Sequence, residues 1–183
     1  KIQSERLRIR NLKPKDLIEF HFYRSNPEVT KYQGFDVFSL EQADKFIIEQ
    51  RKKKFGKPGE WVQYAIENVS ESRLIGDCAI KLGQHDVRLA EIGITISHAE
   101  QRKGYAREAL EAILNFLFTL PDFHRVTEIV DTENTASINL LESLGFKKEG
   151  HFVENIFFNS KWGSEFQYAM LKEEWASINK DKT

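Results

Sequence analysis

A short loop between residues 101 and 106 has the composition of an anion-binding turn. It reads Gln101-Arg102-Lys103-Gly104-Tyr105-Ala106, with small residues at positions 104 and 106. Small side chains let the backbone approach a ligand closely, and the unpaired N–H groups at a helix start donate to anions. The loop therefore predicts a site for a phosphate-containing anion, most simply a pyrophosphate.

The segments that flank this loop are predicted to be a strand and a helix. Before it, Ala90, Ile92, Ile94 and Ile96 alternate with more polar residues, which is the period of a strand with one buried face. After it, apolar residues recur at helical spacing: Ala106, Ala109, Leu110, Ile113, Phe116 and Leu117. The loop thus joins the end of a strand to the start of an amphipathic helix.

The rest of the chain mixes strands and helices. Strands are predicted at 61–68 and 73–82, and Ser39 with Gln42 three residues later forms a capping box that begins a helix. A buried strand over 126–130 precedes a helix opened by Asn134, and two strand-like segments, 146–158 and 166–171, follow. This order predicts an α/β (α+β) fold with a mixed sheet and helices on both faces.

Composition excludes several classes of protein. The 183 residues, of which 40% are hydrophobic, predict one domain spanning 1–183. A formal net charge of -1 argues against a nucleic-acid partner, and no apolar run approaches the roughly 20 residues of a membrane span. The single cysteine, Cys78, fits a reducing, cytoplasmic location, and the histidines lack the spacing of a metal site.

A basic run, Arg51 to Lys54, follows the helix that begins at Ser39. Positive charge is favourable at a helix C-terminus, where carbonyl groups carry partial negative charge. The run is therefore interpreted as a solvated helix end and not as an anion site.

Three segments taken together identify a family. The stretch AEIGITI, the loop with its helix QRKGYAREAL, and Asn134-x-x-Ser137 followed by Leu144-Gly145-Phe146 resemble the GNAT acetyltransferase superfamily. The chain is most similar to the branch of ribosomal-protein N-terminal (alanine/serine) acetyltransferases. The resemblance implies a mostly antiparallel sheet of six or seven strands, with a splay between the two central parallel strands near Thr95 and Val130. It also implies acetyl-CoA as co-substrate, without a metal.

The resemblance implies a role for each residue of the motifs. The diphosphate of acetyl-CoA would be held by the backbone of Gln101, Arg102, Lys103, Gly104, Tyr105 and Ala106, and the pantetheine arm would pair with Ile94, Thr95 and Ile96. Asn134 would contact coenzyme A, and Ser137 would hydrogen-bond the departing thiolate. Arg107 stands where many relatives carry a small hydroxyl residue, so its charge would replace that contact.

The transfer also needs a base, because an amine must lose a proton before it attacks a thioester. Glu91 matches the catalytic glutamate of part of the superfamily. The alternative is that Glu91 only pairs with a cation such as Arg88 or Lys81. Glu154 and Glu165 are the other candidate carboxylates, and Asn134 has a simpler reading as a helix cap.

The acceptor is the least defined part of the prediction. The segments expected around it are rich in aromatic residues, which favours the N-terminus of a protein or peptide over a polycation: Phe22, Tyr23, Tyr32, Phe35, Phe38, Phe157, Phe158 and Trp162. The alternatives are a small amine, such as a polyamine or aminoglycoside, and a non-catalytic acyl-CoA-binding module. Either a monomer or a homodimer is expected.

Overall fold

A computed structural model describes residues 2–32 and 39–180 of the chain. Within them, one sheet has the strand order β1-β2-β3-β4-β5-β6-β8-β7. The strands are β1 (Ile2–Gln3), β2 (Leu7–Asn11), β3 (Trp61–Asn68), β4 (Arg73–Leu82), β5 (Leu89–Ile96), β6 (Arg125–Asp131), β7 (Lys147–Phe158) and β8 (Lys161–Leu171). The helices are α1 (Leu17–Arg24), α2 (Pro27–Thr30), α3 (Leu40–Lys52), α4 (Tyr105–Leu117), α5 (Thr135–Leu144) and α6 (Lys172–Lys180).

The sheet has eight strands, whereas six or seven were expected. The additional strand is β1, which has two residues and pairs Ile2 with Ile9 of β2. A strand of two residues has no periodicity that a sequence pattern can detect.

Helices cover both faces of the sheet, as predicted. On one face, Phe20 of α1 and Ile47 of α3 pack on Ala65 of β3. On the other face, α4, α5 and α6 pack on the central strands through a larger apolar cluster that includes Leu110, Leu141 and Trp175. The capping box also forms, because the Gln42 N–H donates to Ser39 Oγ at 3.1 Å and the Ser39 N–H donates to Gln42 Oε1 at 2.8 Å.

A buried ion pair fixes α1 to the sheet. The carboxylate of Asp77, on β4, accepts hydrogen bonds from the Tyr23 hydroxyl, the Arg24 guanidinium and the Gln63 amide. Asp77 and Arg24 are 0% and 3% exposed, so this charge pair is removed from water. Burial, reinforced by the Asp77 charge, raises the pKa of the Tyr23 phenol, which therefore stays a donor.

The two parallel strands separate in the middle of the sheet, as the family resemblance implies. Strand β5 pairs with β6 only at Leu89–Arg125, Ala90–Val126 and Glu91–Thr127. Beyond those pairs, β5 continues to bond only to β4, and β6 only to β8. A gap therefore opens between the second halves of β5 and β6, and unpaired backbone groups line both of its sides.

Strands β7 and β8 form a long hairpin at the edge of the sheet. Their register is interrupted between Lys148 and Gly150 and again between Phe152 and Ile156. Asn159 and Ser160 both have positive φ angles, 51° and 59°, which is the geometry of a tight two-residue turn. Because the turn is tight, β8 begins at Lys161 and not near Phe166 as the sequence pattern predicted.

Candidate active site

A cleft of about 620 Å³ lies where the gap between β5 and β6 opens. The end of β5, the loop before α4, the first turns of α4 and α5, and α2 form its walls. The predicted site residues that line it are Ile94, Thr95, Ile96, Gln101, Arg102, Gly104, Tyr105, Ala106, Arg107, Asn134 and Ser137. Lys103 and Glu91 are predicted site residues that do not line it.

The loop before α4 presents backbone donors to the cleft. Arg102 and Gly104 have positive φ angles of 63° and 80°, and Gly104 occupies the N-cap position of α4. The N–H groups from Arg102 to Arg107 donate no hydrogen bond to any group in the described ranges. Unpaired donors at the positive end of a helix fit the predicted diphosphate site.

The side chains of two loop residues stabilise the loop itself, whose backbone is predicted to hold the diphosphate. The Gln101 amide donates to the Ile96 carbonyl at 3.1 Å, and Lys103 Nζ lies 2.9 Å from Glu100 Oε2. Glu100 also pairs with Arg73 at 2.6 Å. Hydrogen bonds from Arg73 and Lys103 hold the pKa of Glu100 below its usual range, so the carboxylate stays ionised and anchors the loop.

Arg6 is a loop-supporting residue that the sequence reasoning missed. Its Nη1 donates to the Lys103 carbonyl at 3.0 Å, its Nε pairs with Glu108 at 2.6 Å, and its guanidinium lies 4.5 Å from the centre of the Tyr105 ring. It comes from the turn before β2, about a hundred residues away in the chain, so no local pattern connects it to the loop.

Arg107 bridges the two helices that flank the cleft. Its Nη1 donates to Ser143 Oγ on α5 at 3.0 Å, and its Nε lies 3.3 Å from Glu111 Oε1, one turn further along α4. The guanidinium therefore has partners away from the loop, and a contact with a diphosphate stays a prediction.

Asn134 is the N-cap of α5, which is the alternative role that the sequence indicated for it. Its Oδ1 accepts a hydrogen bond from the Ser137 N–H at 3.2 Å. Both residues also line the cleft, so the cap leaves the Asn134 amide group and the Ser137 hydroxyl at the cleft wall. Contact of either side chain with coenzyme A stays a prediction.

Glu91 lies at the closed end of the gap, opposite Thr127. Its carboxylate is 2.8 Å from Lys81 Nζ, and the same ammonium lies 4.7 Å from the centre of the Trp61 ring. This is the ion pair that the structural alternative for Glu91 described, with Lys81 as the cation. A role for Glu91 as a base stays a prediction.

The side of the cleft expected to receive the acceptor carries acidic groups. Glu28 and Glu133 line it, and their contacts with Lys31 and Lys161 are long, at 3.4 Å and 3.7 Å. The other two candidate carboxylates lie on the neighbouring hairpin, where the Glu154 N–H donates to Ser164 Oγ and the Glu165 carboxylate accepts from Asn155.

The predicted aromatic residues lie in different parts of the protein. Tyr23 belongs to the core, and Phe35 and Phe38 lie outside the described residues. Phe157 and Trp162 are 60% and 59% exposed and pack edge to face, with ring centres 5.3 Å apart. Tyr32 lines the cleft.

Glu128 is a buried acid next to the gap that the sequence reasoning also missed. It follows Thr127 on β6, is 5% exposed, and its Oε2 has no hydrogen-bond partner among the described residues. Burial raises its pKa to about 8. Its position in the sequence could have indicated that it is buried, since strand alternation places it on the inward face with Val126 and Val130.

Other sites are not found in the described part of the chain. No group of three or more histidine, cysteine or acidic residues there is arranged to hold a metal ion. None of its helices has both the length and the apolar character of a membrane span. Cys78 is buried, and burial raises the pKa of its thiol, as expected for a packing residue.

The known proteins to which this chain is similar are acetyltransferases. The family model described as acetyltransferase (GNAT) domain matches residues 6–147. The uncharacterized N-acetyltransferase YnaD of Bacillus subtilis is 33% identical over 176 residues, which are 95% of this chain and 98% of that protein. A spermidine N(1)-acetyltransferase of Vibrio cholerae is 28% identical over 165 residues, covering 87% of this chain and 89% of that protein. The crystal structure of a GNAT-family acetyltransferase from Bacillus anthracis superposes with a TM-score of 0.84 at 31% identity, covering 94% of this chain and 99% of that one.

Proposed function

This chain belongs to the GNAT acetyltransferase family, and from that premise we propose that it acetylates a primary amine of a small polyamine. GNAT acetyltransferases use acetyl-CoA, so the chain is an acetyl-CoA-dependent N-acetyltransferase. The identity of the acceptor and the role of each residue are the parts that we propose.

The cleft fits the parts of acetyl-CoA. The unpaired N–H groups from Arg102 to Arg107 are suited to its diphosphate, and the open edge of β5 near Thr95 is suited to its pantetheine amides. When bound, acetyl-CoA supplies a thioester carbonyl as the electrophile. One observation supports this assignment best. The loop before α4, with its unpaired N–H donors, lies next to the gap between β5 and β6.

The chain's own residues would then manage charge and protons. An unprotonated amine nitrogen forms the new C–N bond, the C–S bond breaks, and the sulfur leaves as a thiolate. A backbone N–H of β5 near Thr95 would stabilise the negative charge that develops on the carbonyl oxygen. The amine proton would pass through water to a carboxylate, with Glu91 as the first candidate, and the Ser137 hydroxyl would hydrogen-bond the thiolate.

The sequence favoured a protein or peptide N-terminus as the acceptor, and the proposal replaces that preference with a polyamine. A polycation site should concentrate carboxylates, because each ammonium group needs a counter-charge. Glu28 and Glu133 provide two at the cleft, with side chains 62% and 67% exposed and only long lysine contacts. A spermidine N(1)-acetyltransferase with 28% identity supports the same choice.

A peptide N-terminus is kept as the second candidate because of the Phe157–Trp162 pair. These exposed rings lie on the hairpin that reaches the cleft, where Lys161 contacts Glu133. An apolar side chain near a peptide N-terminus would pack against them.

Thiol release from acetyl-CoA distinguishes the two acceptors. We expect spermidine or spermine to be acetylated faster than short peptides with free N-termini at matched concentrations. A Glu28→Gln, Glu133→Gln double variant should raise KM for the polyamine, whereas Glu41→Gln, an exposed helix residue away from the cleft, should not. Faster acetylation of the peptides would refute the polyamine proposal, and no turnover on any amine would favour a binding module.

A further inference from the structure

A second cavity, of about 580 Å³, lies at the far end of α4 from the cleft. Phe116, in the last turn of α4, lines this cavity, whereas Tyr105, Ala106 and Arg107 of the first turn line the cleft. The two sets of lining residues have no member in common. The cavity is therefore separate from the proposed acetyl-CoA site, and its volume is typical of a small-molecule pocket.

The walls of this cavity are largely apolar. Strands β2, β3 and β4 contribute Ile9, Tyr64 and Ile80, and the segment after α3 contributes Phe55. The rings of Phe55 and Phe116 pack edge to face with their centres 5.6 Å apart. A flat apolar molecule would bury its surface against these walls.

The charged residues of the cavity are all cationic. Five line it, and no acidic residue does: Arg8, Arg10, Lys13, Lys53 and Lys54. Arg8 and Arg10 are paired with carboxylates behind the wall, Glu67 for both and Asp16 for Arg10. Lys53 Nζ donates a hydrogen bond to the Trp61 carbonyl at 2.9 Å. No ion pair in the described part of the chain neutralises Lys13 or Lys54.

We propose that this cavity binds a small amphiphilic anion, with a flat apolar body and a single carboxylate. The body would lie against Phe55, Ile80 and Phe116, and the carboxylate would pair with Lys13 and Lys54. A polyamine would be repelled by the same lysines, so this ligand is distinct from the proposed acceptor. The interpretation of the basic run as a solvated helix end then holds for Arg51, Lys52 and Lys53, while Lys54 would bind the ligand in the cavity.

Calorimetric titration with 2-naphthoate tests the proposal, carried out in saturating coenzyme A so that the cleft is occupied. We expect saturable binding at one site, and much weaker binding of 2-naphthamide, which has the same rings without the charge. A Lys13→Gln, Lys54→Gln double variant should weaken naphthoate binding about fivefold, and Lys52→Gln, on exposed helix surface, should leave it unchanged.

Four results would overturn the proposal. The first is the absence of saturable naphthoate binding to the wild-type chain at millimolar concentration. The second is equal affinity for naphthoate and naphthamide, and the third is an unchanged affinity in a Lys13→Gln, Lys54→Gln variant whose thermal unfolding matches the wild type. Naphthoate binding that disappears when coenzyme A is added would assign the probe to the cleft and would also overturn it.

Discussion

Replacing Glu128 by glutamine should change how the stability of the protein depends on pH. The carboxyl group is almost fully buried beside the gap in the sheet, and burial raises its pKa from 4.5 to about 8. Glutamine has nearly the same shape and cannot ionise, so the variant removes the titration while keeping the packing.

The sign of the pH dependence follows from the protonation of Glu128 in the folded and in the unfolded chain. Below pH 4.5 the carboxyl is protonated in both the folded and the unfolded chain, and burial carries no ionic penalty. Between pH 4.5 and 8 only the unfolded chain ionises, so the free energy of unfolding falls by about 1.4 kcal/mol per pH unit. Above the folded-state pKa the Glu128 carboxyl is ionised in both the folded and the unfolded chain, and the free energy of unfolding falls no further. The total decrease is about 5 kcal/mol as an upper estimate.

Urea unfolding at pH 5, 6.5 and 8 measures this effect. The free energy of unfolding of Glu128→Gln minus that of the wild type should rise by about 3–4 kcal/mol from pH 5 to pH 8. Glu41→Gln, whose side chain is 79% exposed on α3, is the control and should follow the wild type. A difference that changes by less than about 1 kcal/mol over this range would show that Glu128 is hydrated or paired, and the reasoning would be wrong.

Four further substitutions test the site and the core. Gly104→Val should abolish the rise in unfolding temperature that coenzyme A causes, because a β-branched residue at φ 80° distorts the loop before α4. An undiminished rise in a folded variant would contradict this prediction. Glu91→Gln should lower the maximal rate by ~10²–10⁴-fold if Glu91 is the base, and a nearly unchanged rate would leave it as the partner of Lys81. Asn134→Ala should cost about 1 kcal/mol in urea unfolding and weaken coenzyme A binding, and a stability loss with normal binding would limit Asn134 to its cap. Arg24→Met should cost about 3–5 kcal/mol in the same assay, since it leaves the Asp77 carboxylate without its counter-charge, and a loss below about 1 kcal/mol is the opposing result.

Local patterns predicted the elements that local interactions determine. Strands β3 and β4 have the predicted bounds, because each is a run rich in apolar residues and a short polar turn joins them. The capping box at Ser39 formed because both of its partners lie within one turn. Helix α6 was not predicted, because only Trp175 and the partly buried Ile178 pack on the core, which is too little for a periodic signal.

Features built from distant residues were not accessible from sequence. The loop before α4 was found as a motif, yet its support by Arg6 depends on a contact between residues about a hundred positions apart. Lys54 looked like a helix end because nothing in the sequence places Ile9 and Phe116 beside it. The partner of Glu91 was one of two cations considered, and only the register of β4 and β5 selects Lys81.

The interrupted register of β7 limits how two copies of the chain can associate. An outer strand of 12 residues would otherwise offer a long row of free backbone donors and acceptors to a neighbouring molecule. The two irregularities divide its paired residues into runs of two or three: Lys147–Lys148, then 150–152, then 156–158. Each break twists the strand and changes the direction of its free groups, so no continuous ladder with a second copy can form along it. The same hairpin that extends toward the cleft thereby resists edge-to-edge aggregation.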